Sequence, residues 1–165
     1  MNALTKLAVT VFYVGLIRPA SGTWGSLAAL PLGWLVYQVG GIWLFTFGII
    51  AGFFKGWYFT GRYIADKGDH DPSEVVIDEL IGQWIALFPT ILGATMMGVE
   101  VTRLWPGWVA GFVFFRLFDI TKPWIVGKAD RRGDALGVML DDVYAGIMAA
   151  IVSIGLAALF HLVLM

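Results

Sequence analysis

Long apolar segments alternate with short polar ones along the chain. The apolar segments are residues 27–39, 42–59, 80–97, 108–118 and 143–165. The last holds twenty-three residues without a formal charge, and an α-helix needs about 20 residues to cross the hydrocarbon core of a bilayer. The pattern predicts an all-α, multi-helical polytopic membrane protein with about four or five membrane-embedded helices. We expect the first two segments to form a helical hairpin around Gly40 and Gly41.

A shorter apolar run covers residues 7–17, between Lys6 and Arg18. Its eleven residues are too few to span a bilayer. Small residues follow it, as in a cleavable signal peptide, but the spanning segments that come later favour a retained helix. We therefore predict a short N-terminal helix here that lies at the membrane interface or is re-entrant.

The composition supports a membrane-embedded chain. Of the 165 residues, 59% are hydrophobic and only 14% are charged, and the mean hydropathy is +0.80. Soluble domains carry about 25% charged residues, so this chain has more apolar surface than a water-soluble core could bury. The net charge of −1 argues against nucleic-acid binding, and the absence of cysteine excludes disulfides and thiolate catalysis. No linker or repeat divides the chain, so residues 1–165 are predicted to form one domain.

Charged residues of both signs collect on one side of the predicted topology. With the amino terminus in the cytoplasm, ten of the eleven lysines and arginines lie at the cytoplasmic face, and only Arg103 lies outside. The positive-inside rule accounts for this distribution and sets the orientation. Of the twelve acidic residues only Glu100 lies outside, although carboxylates have little influence on topology. The pattern therefore indicates a cytoplasmic site that requires acids and bases together.

Two pairs of acidic residues, at 78–79 and at 141–142, immediately precede apolar segments. Glu74 lies four residues before Asp78 and would share a helical face with it if the helix already runs there. Single carboxylates at such positions are also favoured by the helix dipole, or are simply solvated. Carboxylates that converge from separate helices are, however, typical ligands of Mg²⁺. The predicted metal ligands are Glu74, Asp78, Glu79, Asp141 and Asp142.

A third cluster combines bases with an acid. Arg116, Asp119 and Lys122 recur every three residues, which places them on one face of a helix that leaves the membrane. Snorkelling cations with a structural ion pair would give the same spacing, but cations near carboxylates also suit a phosphate dianion. The glycines and hydroxyls of residues 21–26, SGTWGS, either cap a helix or turn backbone amides toward a phosphate. The predicted phosphate-binding residues are Thr23, Ser26, Arg116 and Lys122.

Together these clusters predict metal-dependent hydrolysis of a phosphate ester on a lipid. Bound Mg²⁺ lowers the pKa of water and neutralises phosphoryl oxygens, while cationic side chains stabilise the charge that develops. We assign catalytic roles to Asp78, Glu79, Asp119 and Asp142. Histidine titrates near neutrality, so His70 is a candidate acid or base, with a merely solvated side chain as an equal alternative.

A small membrane transporter or ion-path protein is the alternative, in which the acids and bases line a route across the bilayer. It predicts ionisable residues in the middle of the spans, where the sequence offers few besides Lys55 and Arg116. A structural membrane subunit is a third interpretation, in which the clustering of charge has no function.

Four segments of the chain form an ordered set: SGTWGSLAALP, DPSEVVIDELIGQW, FRLFDITKPW and GVMLDDVYAGI. Together, over about residues 20–152, they resemble the phosphatidylglycerophosphatase A family. The resemblance implies a Mg²⁺-dependent phosphatase of phospholipid biosynthesis. Such an enzyme removes the terminal phosphate of phosphatidylglycerophosphate to give phosphatidylglycerol. The resemblance also implies a bacterial cytoplasmic membrane, with the site on its cytoplasmic face and a phospholipid as the binding partner.

The family's motifs match this chain at each charged position predicted above. The acidic motif matches Glu74, Asp78 and Glu79, the basic motif matches Arg116, Asp119 and Lys122, and the last acidic pair matches Asp141 and Asp142. Two positions depart from the family pattern. Ser21 stands where a proline is expected, and Asp134–Ala135 stands where two glycines are expected. Both departures concern local turn geometry and leave the predicted carboxylates in place.

Overall fold

The computed structural model describes residues 2–68 and 72–164, a part of the chain that contains helices, turns and no β-strand. The predicted all-α class is therefore confirmed. The helices are α1 (Ala3–Val9), α2 (Ser21–Lys67), α3 (Ile77–Met97), α4 (Trp105–Thr121), α5 (Ile125–Asp130) and α6 (Ala135–Leu164), with 3₁₀ turns at Val14–Leu16 and Val101–Leu104. The prediction for His70 concerns a position outside the described residues.

The amino-terminal segment begins with a short helix, but a single helix over residues 7–17 is wrong. α1 ends at Val9, and Val11, Phe12 and Tyr13 have positive φ angles. The hydroxyl of Thr10 donates to the carbonyl of Lys6 (2.7 Å) and accepts from the N–H of Tyr13 (3.0 Å). These local bonds compete with helix continuation and turn the chain after α1.

α2 is a hairpin of two helical limbs, as the sequence pattern predicts. Gly40 and Gly41 interrupt the helical backbone, and Gly41 (φ 61°, ψ −158°) adopts a conformation that only glycine tolerates readily. A Cβ atom on Gly33 would lie 3.2 Å from the ring of Phe45, so residues before and after the bend face each other. We call residues 21–39 the first limb and residues 42–67 the second limb.

α3 lies at the centre of the bundle and contacts both limbs of α2. In its most apolar stretch 56% of the residues are buried, compared with 6% in α2 and 17% in α6. The indole of Trp84 donates to the carbonyl of Ala29 in the first limb (2.8 Å). The same ring would lie 3.0 Å from a Cβ atom on Gly48 in the second limb. α3 also contacts α4 and α6, so other helices surround it.

α6 packs against α3 through glycines. A Cβ atom on Gly82 would lie 2.6 Å from the carbonyl oxygen of Asp142, and one on Gly146 would overlap the carbonyl of Gly82. Small residues let two helix backbones approach closely inside a membrane. This contact brings the acidic pair of α6 to the amino-terminal end of α3.

Three helices of the described residues, α2, α3 and α6, are long and apolar enough to cross a membrane by length and composition. α4 has 17 residues and packs against α3 and α6. Because α2 folds back, its two limbs, α3, α4 and α6 together give five long helical segments.

Two helices begin at other positions than the sequence pattern predicts. α6 begins at Ala135, so Asp141 and Asp142 lie inside the helix and not before it. The carboxylate of Asp134 accepts from the N–H of Gly137 (2.7 Å), a cap that starts the helix early. α3 begins at Ile77, which leaves Glu74 outside the helix. A shared helical face of Glu74 and Asp78 required a helix that already runs at Glu74, and this condition is not met.

Candidate active site

One end of the bundle contains a cavity of about 250 Å³ lined mainly by charged side chains. The start of α2, the start of α3, the end of α4, the end of α5 and the early turns of α6 meet there. Its charged residues are the acids Asp78, Glu79, Asp119, Asp130, Asp141 and Asp142 and the bases Arg116 and Lys122. Among the described residues, six acids face two bases, so this part of the lining has a formal excess of four negative charges and attracts cations.

Three of these acids, Asp78, Glu79 and Asp142, form a compact group that we call the acidic triplet. One carboxylate oxygen from each lies within 4.8 Å of the others. Asp78 is 7% exposed and Asp142 is 3% exposed. Buried carboxylates this close repel one another strongly unless a cation or a proton neutralises them. The triplet is therefore a group that could hold a metal ion.

Two oxygens of the triplet fit that interpretation. Oε2 of Glu79 and Oδ1 of Asp142 are buried and have no hydrogen-bond partner among residues 2–68 and 72–164. Buried polar atoms almost always have a partner, so such atoms call for an explanation. Carboxylate oxygens from two helices form the donor set that hard divalent cations prefer.

Arg116 connects α4 to this site. Its Nη1 donates to Oδ2 of Asp119 one turn later (2.6 Å) and to the hydroxyl of Ser26 (3.3 Å). The pair confirms that residues 116 and 119 share a helical face. A Cβ atom on Gly22 would contact both Oε1 of Glu79 and Nη1 of Arg116, so the acid and the base meet at the first turn of α2.

Lys122 ends α4 in a left-handed conformation (φ 44°) and turns its side chain toward two acids. Its Nζ contacts Oδ1 of Asp130 and lies 2.9 Å from Oδ2 of Asp141. Partial burial acts to lower the pKa of Lys122, but the hydrogen bonds to these carboxylates outweigh it and raise the pKa above its ordinary value. The ammonium group therefore stays charged at physiological pH.

The serine and threonine of the first α2 turns have different positions. Ser21 and Gly22 line the cavity, and Ser26 reaches the site through Arg116. Thr23 is not among the residues that line the cavity. The hydroxyl of Ser21 also donates to the backbone carbonyl of Ser73, which holds the start of α2 against the segment before α3.

Glu74 lies away from the other predicted metal ligands. It does not line the cavity, and its carboxylate pairs with Lys67 and, at 3.9 Å, with Arg18. The hydroxyl of Tyr63 donates to it at 2.8 Å. Burial acts to raise the pKa of Glu74, but the hydrogen bonds from Lys67 and Tyr63 prevail and lower it below its ordinary value. Glu74 thus ties the segment before α3 to the second limb of α2.

Sequence reasoning did not assign Gly22 and Asp130 to the site, although both line the cavity. Gly22 belongs to the SGTWGS segment, but its contact with Glu79 follows only from helix packing. Asp130 lies in a six-residue helix and gives no sequence signal beyond its charge. Its contact with Lys122 depends on the turn between α4 and α5.

The sequence of this chain is similar to a family model and to several bacterial proteins. The family model described as phosphatidylglycerophosphatase A matches residues 7–157. Phosphatidylglycerophosphatase A of Haemophilus influenzae is 37% identical over 153 residues, 92% of this chain and 87% of that protein. Phosphatidylglycerophosphatase A of Escherichia coli is 36% identical over 84% of this chain and 75% of that protein. A putative phosphatidylinositol-3-phosphatase of Bacteroides thetaiotaomicron is 33% identical over 90% of both chains. No solved structure matches the chain.

Proposed function

The chain belongs to the phosphatidylglycerophosphatase A family, a family of phosphatases, and from that premise we propose its reaction and its site. The enzyme hydrolyses the terminal phosphate monoester of phosphatidylglycerophosphate and releases phosphatidylglycerol and inorganic phosphate in phospholipid biosynthesis. The observation that carries this proposal is the acidic triplet beside Arg116 and Lys122, at one end of a bundle of apolar helices.

We assign Asp78, Glu79 and Asp142 as ligands of Mg²⁺, with Asp141 beside them in the cavity. The unpartnered oxygens of Glu79 and Asp142 support this assignment, and the pairing of Glu74 with Lys67 removes Glu74 from it. When bound, a divalent cation would supply Lewis-acid neutralisation of phosphoryl oxygens and favour deprotonation of water.

The bases bind the phosphate group. Within the described part of the chain, Arg116 and Lys122 are the cations that line the cavity, and a dianionic phosphate monoester complements both. Lys122 is held between Asp130 and Asp141, and Arg116 is held by Asp119 and Ser26. Fixed cations that do not reorganise during the reaction stabilise a charged transition state most effectively.

Asp119 is the proposed general base. It pairs with Arg116 and lines the same cavity as Asp142. Water forms a new bond to phosphorus and gives one proton to Asp119. The bond between phosphorus and the glycerol oxygen breaks, and that oxygen takes up a proton from bulk water. Asp119 then returns its proton to bulk water, so the reaction consumes no net proton. Asp119 therefore has two roles: it holds the phosphate-binding guanidinium and accepts a proton from the water.

The location of the cavity suits a substrate that stays in the membrane. The headgroup enters the charged end of the bundle while the acyl chains lie against its apolar outer face. Lys128, Arg131 and Arg132 are exposed at the same end, whereas Arg103 lies in the turn between α3 and α4 at the opposite end. By the positive-inside rule this supports a multi-pass protein of the bacterial cytoplasmic membrane with its site facing the cytoplasm.

The ion-path alternative requires ionisable side chains along the length of the bundle. Among the described residues, the buried charged side chains are Asp78, Asp141 and Asp142, which all lie at the cavity. Lys55, near the end of the predicted span 42–59, is exposed on α2. These positions support an enzyme site at one end and no route across the membrane.

Phosphate release by the purified protein in detergent tests the proposal. The substrates are phosphatidylglycerophosphate, phosphatidylinositol 3-phosphate and phosphatidic acid, each with Mg²⁺ or with excess chelator. Asp142→Asn removes one acid of the triplet, and Glu100→Gln at the opposite end of the bundle is the matched control. We expect release from phosphatidylglycerophosphate that requires Mg²⁺, disappears in Asp142→Asn and persists in Glu100→Gln. Absence of release from folded wild-type protein would refute the proposed reaction, and faster release from another lipid would change the substrate.

A further inference from the structure

Gln83 is a fully buried polar residue one helical turn beyond Glu79 in α3. It is 0% exposed, and neither its Oε1 nor its Nε2 has a hydrogen-bond partner among residues 2–68 and 72–164. A carboxamide surrounded by apolar groups is costly to bury without partners, most of all inside a membrane. A leucine would fill this position at lower cost, so the amide calls for a role of its own.

The packing of α3 against α4 places Gln83 at the depth of the arginine in the site. The two helices run antiparallel, because Thr90 lies against Gly107 while Gly82, earlier in α3, lies against Phe115, later in α4. A Cβ atom on Gly82 would lie 2.5 Å from that phenylalanine ring. Gln83 therefore lies at the level of Phe115 and of the residue that follows it, Arg116.

Gln83 also lies on the face of α3 that is directed at the site. Residues four apart in a helix lie one above the other, so Gln83 follows Glu79 on the same face. The side chain of Glu79 meets the guanidinium of Arg116 at Gly22. The side chain of Gln83 is thus one turn deeper than this meeting point, beneath the charged cavity.

Arg116 has a free donor that matches the free acceptor of Gln83. Its Nη1 is bonded to Asp119 and Ser26, whereas its Nε is buried and has no partner within the described part of the chain. Arginine nitrogens only donate, and the carbonyl oxygen of a glutamine only accepts. The two unpartnered atoms are therefore complementary, and they lie at the same depth of one helix interface.

We propose that Gln83 is a positioning residue for Arg116, whose Nε donates to the Gln83 carbonyl oxygen directly or through one buried water molecule. Asp119 and Ser26 then hold one edge of the guanidinium group and Gln83 holds the other. This fixes the plane of the group and leaves the remaining N–H donors for the phosphate. The inference rests on the proposed phosphatase function. It gives a role to Gln83, which lies beneath the cavity and is not part of its lining.

Gln83→Met tests the proposal, because methionine has a similar length and shape but no amide. The double variant with Arg116→Lys shows whether Gln83 acts through Arg116, since coupled residues give non-additive effects. Ser153→Ala is the matched control: its hydroxyl is likewise buried and unpartnered within the described residues, in α6, about 16 Å along the helix from Asp142. The measurements are kcat and KM for phosphatidylglycerophosphate, the unfolding temperature in detergent, and equilibrium binding of orthovanadate, an anion that accepts a fifth oxygen ligand and so mimics the transition state of phosphoryl transfer.

We expect Gln83→Met to unfold at the wild-type temperature or above it, and to lose about tenfold or more in kcat with little change in KM. Its affinity for orthovanadate falls by a similar factor. In the Arg116→Lys background the same substitution changes kcat and orthovanadate affinity less than about twofold. Ser153→Ala behaves as wild type.

Wild-type kcat and orthovanadate affinity in Gln83→Met would overturn the proposal. A second result would also overturn it: Gln83→Met unfolds at a lower temperature than wild type, and the fold-loss of kcat in the double variant equals the product of the two single losses. Gln83 would then act only as a core residue. If the wild-type protein releases no phosphate, the proposed function fails on its own. Orthovanadate binding by wild type, Gln83→Met, Arg116→Lys and the double variant then still decides whether Gln83 acts through Arg116.

Discussion

The backbone of Gly22 lies directly against the carboxylate of Glu79. A Cβ atom on Gly22 would overlap Oε1 of Glu79 and would lie 3.3 Å from Nη1 of Arg116. The first turn of α2 therefore touches an acid of the triplet and a base that binds phosphate. The free N–H groups and the positive end of the dipole at this helix start favour a negative charge nearby. Glycine is required here because of space, not because of a special φ angle.

Gly22→Ala is expected to reduce kcat by about 10- to 100-fold, because the added methyl group displaces Glu79 or the first turn of α2. The control is Gly155→Ala in α6, where a Cβ atom meets nothing within 4 Å. That substitution should leave activity unchanged and stabilise the protein by up to about 1 kcal/mol. Phosphate release and thermal unfolding in detergent measure both effects. Equal activity of the two variants would contradict the assigned contact.

Removal of the metal should destabilise the wild-type protein and not the variant Asp78→Asn. Without a cation the three carboxylates of the triplet repel one another. A ligand at one hundred times its Kd stabilises the folded state by about 2.7 kcal/mol. In excess chelator, Asp78→Asn should therefore be more stable than wild type, by roughly 1 to 3 kcal/mol, although it is inactive. Thermal unfolding with and without Mg²⁺ measures this, and identical responses of the two proteins would refute the metal site.

The ion pairs of Glu74 predict a pH-dependent contribution to stability. Because the pKa of Glu74 is lowered in the folded protein, its contribution is present above the ordinary glutamate pKa of about 4.3 and is lost as the pH falls through the lower folded value. Glu74→Gln should reduce the free energy of unfolding by about 1 to 2 kcal/mol at pH 7. The difference from wild type should shrink below pH 4. Unfolding of both proteins in detergent, at pH 7 and below pH 4, measures this difference in free energy. A difference that grows on acidification would contradict the assignment.

The contact of Gly146 with Gly82 sets the distance between α6 and α3. A methyl group on Gly146 would overlap the carbonyl of Gly82, so Gly146→Ala must separate the two helices. We expect a loss of about 1 to 3 kcal/mol in stability and a loss of activity, because Asp142 moves away from Glu79. Unfolding temperature and Mg²⁺-dependent phosphate release measure the two effects. A stable variant with normal Mg²⁺ dependence would show that this contact does not position the triplet.

The sequence by itself determined the class of the fold and most of the chemistry of the site. Apolar segments of spanning length require helices, because a membrane offers no partners for free backbone groups. Gly40 and Gly41 between two such segments indicated the bend of α2. The spacing of Arg116 and Asp119 is local to one helix, so their pairing could be predicted from the helical repeat.

The tertiary structure decided which charged residues meet. Glu74 matches a family motif and lies near Asp78 in sequence, yet it pairs with Lys67 because α3 begins only at Ile77. Lys122 meets Asp130 because the chain turns after α4. These outcomes depend on where helices start and how closely their backbones approach. The approach of the backbones is set by long-range contacts of small residues such as Gly22, and helical periodicity carries no information about such contacts.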